Sequence, residues 1–305
     1  MPLAMVSATC FIPTLVGARV GRTSLPAIAP RQLPFSSFTT QRAGTGEFYS
    51  TNNNEISLLH SYTNLRTTWT HILQVNPVVL FEGSPALLLF YDASAGTGEF
   101  HTVNNGAISL LNSITGWRTS WTHILPGRFG GNGATDLLFY DAAAGIGEFY
   151  TVADGTISLL RSNIGWRTSW THIVRGSFGG SGATDDLLFY DAASGTGEFY
   201  TVNNGTISLL RSNAGWRSSW KFIIPGKFVG TGIDSTDLFF YDATSGTGEF
   251  YTVSGGQLSL MQSKSDYRVS WTHIVPGIFD SKSLEGGAGR GLIVSSDAGG
   301  GGDDN

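Results

Sequence analysis

The stretch Gly195-Thr196-Gly197-Glu198-Phe199-Tyr200-Thr201-Val202-Asn203-Asn204-Gly205-Thr206-Ile207-Ser208-Leu209-Leu210 holds two short β-type runs joined at Asn204-Gly205. Asn-Gly between such runs is a strong hairpin signal, because both central residues of a type I′ turn need positive φ. The equivalent run Glu148–Val152 alternates, with Phe149 and Thr151 on one face and Tyr150 on the other. Working outward, the same words return. Gly-X-Gly-Glu-Phe occurs five times, with glutamates at Glu47, Glu99, Glu148, Glu198 and Glu249, spaced 52, 49, 50 and 51 residues apart. Each copy is followed by an apolar run such as Ile157–Leu160, then by a Trp-centred run such as Trp170–Val174. The next unit opens on a run such as Leu187–Asp191. No segment sustains a 3.6-residue apolar period. A unit is therefore four short strands in about 50 residues, and a tandem array of such units reads as a β-propeller.

The predicted fold is all-β, a propeller of about five four-stranded blades over residues 33–297. Residues 1–32 read as a leader, disordered or a signal segment, and 298–305 as a Gly/Asp-rich tail. Runs of the Leu187–Asp191 type are expected to be innermost in each blade. Six of them against five Trp-centred runs leave a surplus strand, either to replace or overlay the first and latch the ring or as the remnant of a sixth blade.

Composition narrows the function. Apolar residues make up 41% of the 305 and charged residues 13%, with a net charge of −5 and no basic block, which argues against a nucleic-acid partner. No stretch reaches the roughly 18–20 apolar residues of a membrane span. A single cysteine, Cys10, excludes an internal disulfide framework and a cysteine-based zinc site.

The segment Phe178-Gly179-Gly180-Ser181-Gly182-Ala183-Thr184-Asp185-Asp186-Leu187-Leu188-Phe189-Tyr190-Asp191 resembles the FG-GAP/VCBS-type propeller repeat. With its Gly-Glu-Phe-Tyr and Trp-rich runs, the unit is also similar to the fucose-binding propeller lectins of insect-pathogenic bacteria. That resemblance implies sugar binding between adjacent blades, and a secreted or extracellular location. FG-GAP repeats often bind calcium in an Asp-rich loop. Here the loops at 130–133, 179–182 and 229–232 have lost their carboxylates, and a hard cation needs about six oxygen ligands. They read as tight turns, and no metal or cofactor is expected.

Candidate ligand-binding residues come from pairs four apart. Trp117 and Trp121, Trp166 and Trp170, and Trp216 and Trp220 recur, with Arg118, Arg167 and Arg217 after the first of each pair. The fifth unit keeps Tyr267, Arg268 and Trp271, and the first has Leu65, Arg66 and Trp69. The second Trp, present in every unit, reads as packing between blades. The first varies and precedes the strand, as suits either an aromatic platform or a cap on the inter-blade layer. Sugar C–H faces stack on indole, while the neighbouring guanidinium offers a fixed fork of donors. The sites are expected at Trp117/Arg118, Trp166/Arg167 and Trp216/Arg217, with Tyr267/Arg268 weaker and Leu65 inactive.

The repeated glutamates and aspartates are read as tying down backbone N–H groups at turns. Histidines His71, His123, His172 and His273 share one register, which the fourth unit fills with Phe222, so they read as buried and hydrogen-bonded. Glycoside hydrolysis wants one asymmetric carboxylate pair, whereas the Gly-X-Gly-Glu-Phe glutamates and the Phe-Tyr-Asp aspartates recur at one equivalent position per unit. The expectation is a multivalent carbohydrate-binding protein whose partners are glycans or glycoconjugates, and not an enzyme. The alternatives are a protein-interaction propeller, or a glycoside hydrolase.

Overall fold

The computed structural model describes residues 33–37, 44–52, 55–75, 86–179, 184–228, 236–278 and 290–295. The leader 1–32, the tail 298–305 and the loop residues 180–183 and 229–235 lie outside them. Every described element is a strand or turn, arranged as successive antiparallel sheets of a β-propeller. The first sheet holds β1 (Leu33–Ser37), β2 (Gly46–Asn52) and β3 (Glu55–Tyr62). Four complete four-stranded sheets follow, each paired in sequence order. They are β4 (His71–Gln74) to β7 (Ala107–Thr115) through β5 (Ala86–Asp92) and β6 (Thr97–Asn104), then β8 (His123–Gly127), β9 (Asp136–Asp141), β10 (Ile146–Ala153) and β11 (Thr156–Ile164). The next are β12 (His172–Gly176), β13 (Asp186–Asp191), β14 (Thr196–Asn203) and β15 (Thr206–Asn213), and β16 (Phe222–Gly226), β17 (Asp237–Asp242), β18 (Thr247–Ser254) and β19 (Gln257–Lys264). A two-stranded sheet of β20 (His273–Ile278) and β21 (Arg290–Ser295) ends the series.

The second strands carry the core. Leu137, Leu138, Phe139 and Tyr140 of β9 are at most 1% exposed, and their counterparts in β5, β13 and β17 at most 4%. A strand buried on both faces has no polar side, which is why Leu-Leu-Phe-Tyr is continuous where its neighbours alternate. Each core layer lies between two sheets: Phe129, Tyr140, Phe149 and Trp170 from the third and fourth sheets pack with Leu187, Phe189 and Val202. Fully burying one such side chain contributes about 1.5–3 kcal/mol, so packing between sheets dominates stability.

The hairpins form as expected. Asn105, Asp154 and Asn204 have φ of 47°, 49° and 48°, each followed by a positive-φ glycine. Those glycines also touch the preceding sheet: a Cβ on Gly205 would stand 2.9 Å from Arg161 and 3.2 Å from Phe149. Asn163 Nδ2 donates to the Gly205 carbonyl at 3.2 Å, which stitches turn to neighbour.

One expectation about order within a blade is corrected. The Leu187–Asp191 type is second in its sheet, and the strand opening on histidine or Phe222 comes first. These first strands adjoin one another, β4 with β8, β8 with β12, β12 with β16 and β16 with β20. They are the innermost strands, while leucines such as Leu110, Leu159 and Leu209 leave the fourth strands exposed. The fully apolar run drew the innermost assignment, but full burial comes from being sandwiched between sheets, not from nearness to the axis.

Candidate functional site

Each first Trp sits in the loop that crosses from one sheet to the next. Trp117 follows β7 and precedes β8, and its backbone N–H donates to the Gly96 carbonyl at 2.9 Å. Its indole lies flat on Gly98, where a Cβ would fall 2.4 Å from the ring. Gly96 itself has φ +59°, and a Cβ there would meet the Trp117 carbonyl at 2.4 Å. The same contacts join Trp166 to Gly145 and Gly147, and Trp216 to Gly195 and Gly197. Both glycines of Gly-X-Gly-Glu-Phe are therefore dictated by the loop that lands on them.

The indole is half-buried. It stacks on Tyr91 at 5.9 Å and meets Phe139 edge-on at 5.2 Å, so it belongs to the layer between two sheets. It also lines a cavity of about 480 Å³ with Arg118, Trp121, Phe139, Glu148, Tyr150 and Ile157. One repeat on, about 330 Å³ is lined by Trp166, Arg167, Trp170, Phe189, Glu198, Tyr200 and Ile207. The ring thus caps the layer between two sheets and at the same time lines the cavity.

The polar wall is an arginine between two carboxylates. Arg167 Nη2 donates to Glu198 Oε1 at 3.1 Å and Nη1 to Asp191 Oδ2 at 3.4 Å. Its guanidinium lies over the buried Trp170 ring at 4.5 Å. Arg217 repeats this with Glu249 at 3.3 Å, Asp242 at 3.4 Å and Trp220 at 4.7 Å. Arg118 stands farther out, 3.6 Å from Glu148 and 3.7 Å from Asp141. Tyr150 donates its hydroxyl to Glu148 Oε2 at 2.5 Å, and Tyr200 to Glu198 Oε2 at 2.6 Å. Burial, then these bonds to a carboxylate, push both phenols well above the usual tyrosine range.

The reading of the repeated acids was half right. Asp141 Oδ1 accepts from the backbone N–H groups of Ala143 and Ala144, both at 3.0 Å, as a turn cap does. The glutamates instead hold arginine and tyrosine side chains at the cavity. The signal for this was present, since Glu and Tyr stand two apart and so share one strand face.

The remaining candidates stand at the equivalent positions of the first and fifth units. Leu65 stands where the other units have the first indole; Arg66 still pairs with Glu99 at 2.9 Å and lies over the Trp69 ring at 4.3 Å, and His101 replaces the tyrosine. Tyr267 covers Gly248 as the tryptophans cover their glycines. Arg268 has no carboxylate partner among the described residues. The histidine register is hydrogen-bonded: His172 Nδ1 faces Thr171 Oγ1 at 3.1 Å, and Nε2 faces the Lys221 carbonyl of the next sheet at 3.0 Å. Burial lowers its pKa, and lowers that of His123 to about 4, helped by the neighbouring histidines.

No family profile matches the sequence, and no curated protein matches it. Several solved structures are similar to it at low identity. A protein from Lactobacillus plantarum is 16% identical, with 73% of this chain and 65% of that one covered and a TM-score of 0.46. The periplasmic gluconolactonase PpgL of Pseudomonas aeruginosa is 9% identical, covering 77% and 67%, at TM-score 0.46. An exo-β-1,3-galactanase from Phanerochaete chrysosporium, solved with galactose, is 14% identical over 64% and 48%, at TM-score 0.42. The chain spans less than two thirds of the length of the first of these. The expectation that the chain is not an enzyme is withdrawn, since a protein named as a gluconolactonase stands among the solved structures similar to it.

Proposed function

We propose that this chain binds carbohydrate at several equivalent clefts between sheets, with Trp117/Arg118, Trp166/Arg167 and Trp216/Arg217 as the main sites and Tyr267/Arg268 a weaker one. One observation supports this above the rest. An indole edge, a guanidinium, a carboxylate and a phenol meet at a cavity, and the same four side chain types return one repeat later. The aromatic wall suits the C–H face of a pyranose, and the Arg–Glu–Tyr wall offers donors and acceptors to its hydroxyls.

Charge narrows the ligand. Arg118, Arg167 and Arg217 each already face one aspartate and one glutamate, so each of these clusters is one negative charge in excess. A neutral sugar fits this, fucose-type among them, and a phosphorylated or sulfated sugar meets uncompensated repulsion. This favours glycans or glycoconjugates as partners, met by several sites at once. Multivalency can raise avidity by roughly 10²–10⁴ without new contacts.

A glycan array tests the reading with wild type, with the triple change Trp117→Ala, Trp166→Ala and Trp216→Ala, and with the shape-conserving triple Glu148→Gln, Glu198→Gln and Glu249→Gln. The expected outcome is binding to neutral glycans that both triples lose, with the second still folded. Binding retained by the folded glutamine triple, or preference for anionic glycans, rejects it. Turnover of a bound glycan would make the sites catalytic.

A further inference from the structure

Each cleft is walled on most sides and open on one. In the cavity at Trp117, the Trp121 and Phe139 walls are buried, and the indole, Glu148, Tyr150 and Ile157 are half-buried. The exposed lining residues are Gly116 and Arg118. One repeat on, they are Gly165 and Arg167. The mouth therefore lies between the glycine and the arginine that flank the indole in sequence.

Packing does not call for these glycines. A Cβ on Gly116, Gly165 or Gly215 would meet nothing within 4 Å. Their φ values of 79°, 79° and 78° favour glycine, yet the loop can land without that conformation. The first and fifth units carry Asn64 and Asp266 here, neither with a positive φ. Their loops still dock in the same way. The Leu65 N–H donates to the Gly44 carbonyl at 2.8 Å and the Tyr267 N–H to that of Gly246 at 3.0 Å, against 2.9 Å from Trp117 to Gly96. Glycine precedes the loop aromatic only in the three units where that aromatic is tryptophan. What these three positions share is bare backbone at the opening, over which a ligand can pass closely.

We infer that Gly116, Gly165 and Gly215 are specificity-determining residues, which let each cleft hold the end residue of an oligosaccharide while the next residue leaves over the glycine. This rests on the carbohydrate reading above and adds the form of the ligand: a chain end. A side chain at these positions fills the exit and leaves the walls around the first sugar untouched.

The combined change Gly116→Asn, Gly165→Asn and Gly215→Asn, which copies Asn64, tests this by isothermal titration calorimetry. The probes are two single rings, methyl α-L-fucoside and methyl β-D-galactoside, and two chains ending in those sugars, 2′-fucosyllactose and β-1,3-galactotriose. The variant should keep the wild-type Tm and the wild-type affinity for the single ring, and lose roughly tenfold or more in affinity for the matching chain. The triple alanine change at the same positions gives the same comparison if the asparagine protein melts early. Unchanged affinity for the chain overturns the inference. So does an equal loss for ring and chain, the result expected of a displaced loop. A wild type that binds none of the four probes rejects the carbohydrate reading itself, and this inference with it.

Discussion

At the residue scale, the contact between the loop tryptophan and the second glycine of Gly-X-Gly-Glu-Phe explains the repeated motif. The Trp166 ring would lie 2.3 Å from a Cβ on Gly147, against side chains on both sheets. Gly147→Ala should cost about 1–3 kcal/mol by overpacking, seen in urea unfolding, and should weaken ligand binding at that cleft alone. The buried tyrosines of Phe-Tyr-Asp hold the following loop from below: Tyr140 donates its hydroxyl to the Arg167 carbonyl at 2.6 Å, and Tyr190 to that of Arg217. Tyr140→Phe leaves a carbonyl without its donor and should cost about 1 kcal/mol, with Arg167's cleft the one loosened. Asp242 shows how firmly the adjoining turn is tied. Burial disfavours its charge, yet donors including Ser219 Oγ at 2.6 Å and the Thr244 N–H at 2.8 Å outweigh that and hold its pKa at about 2.

At the element scale, the innermost strands carry the titration. His71, His123 and His172 are kept neutral mainly by burial, below their ordinary pKa of 6.5, and His123 reaches about 4. The unfolded chain therefore takes up protons first as pH falls, and stability is present above about pH 6.5 and lost between there and about pH 4. Melting temperature should drop across that window. His123→Phe, copying the natural Phe222, should flatten the drop; an unchanged pH profile in that variant would count against these histidines as its source. The elements were legible in the sequence because Asn-Gly and Asp-Gly turns, alternation and the fifty-residue period all agree. Which leucine of a pair is buried was not. The register slips between Phe149 and Tyr150 against β11, so that Tyr150 faces Leu159 and Arg161 faces Phe149. Leu160 then packs against the core while Leu159 is 57% exposed. The order of strands was also hidden, since a sequence shows which run is apolar and not what lies on its two faces. Trp and Arg at the cleft could be picked out by their spacing. Glu148 and Tyr150 could not be given their role, because their arginine partner comes from a loop 30 residues earlier in the chain.

At the scale of the whole molecule, the chain packs sheet against sheet, with a small cleft at Trp117/Arg118 and another at Trp166/Arg167, and the same Trp, Arg and Glu side chains return at Trp216/Arg217. No single cleft is elaborate, and each spends much of its aromatic surface on holding two sheets together. What the arrangement supplies is number and fixed spacing. Removing one arginine, as in Arg167→Ala, should therefore lower avidity for a multivalent glycoconjugate far more than it lowers the affinity of each remaining cleft, measured by surface plasmon resonance against monovalent sugar. The count of clefts occupied tests this most directly. Native mass spectrometry of the wild-type chain titrated with methyl α-L-fucoside, and in parallel with neutral galactosides, should show three or more ligand equivalents, with one lost in Arg167→Ala. A single equivalent, unchanged in that variant, or no binding to any neutral sugar, would contradict a propeller of repeated carbohydrate sites.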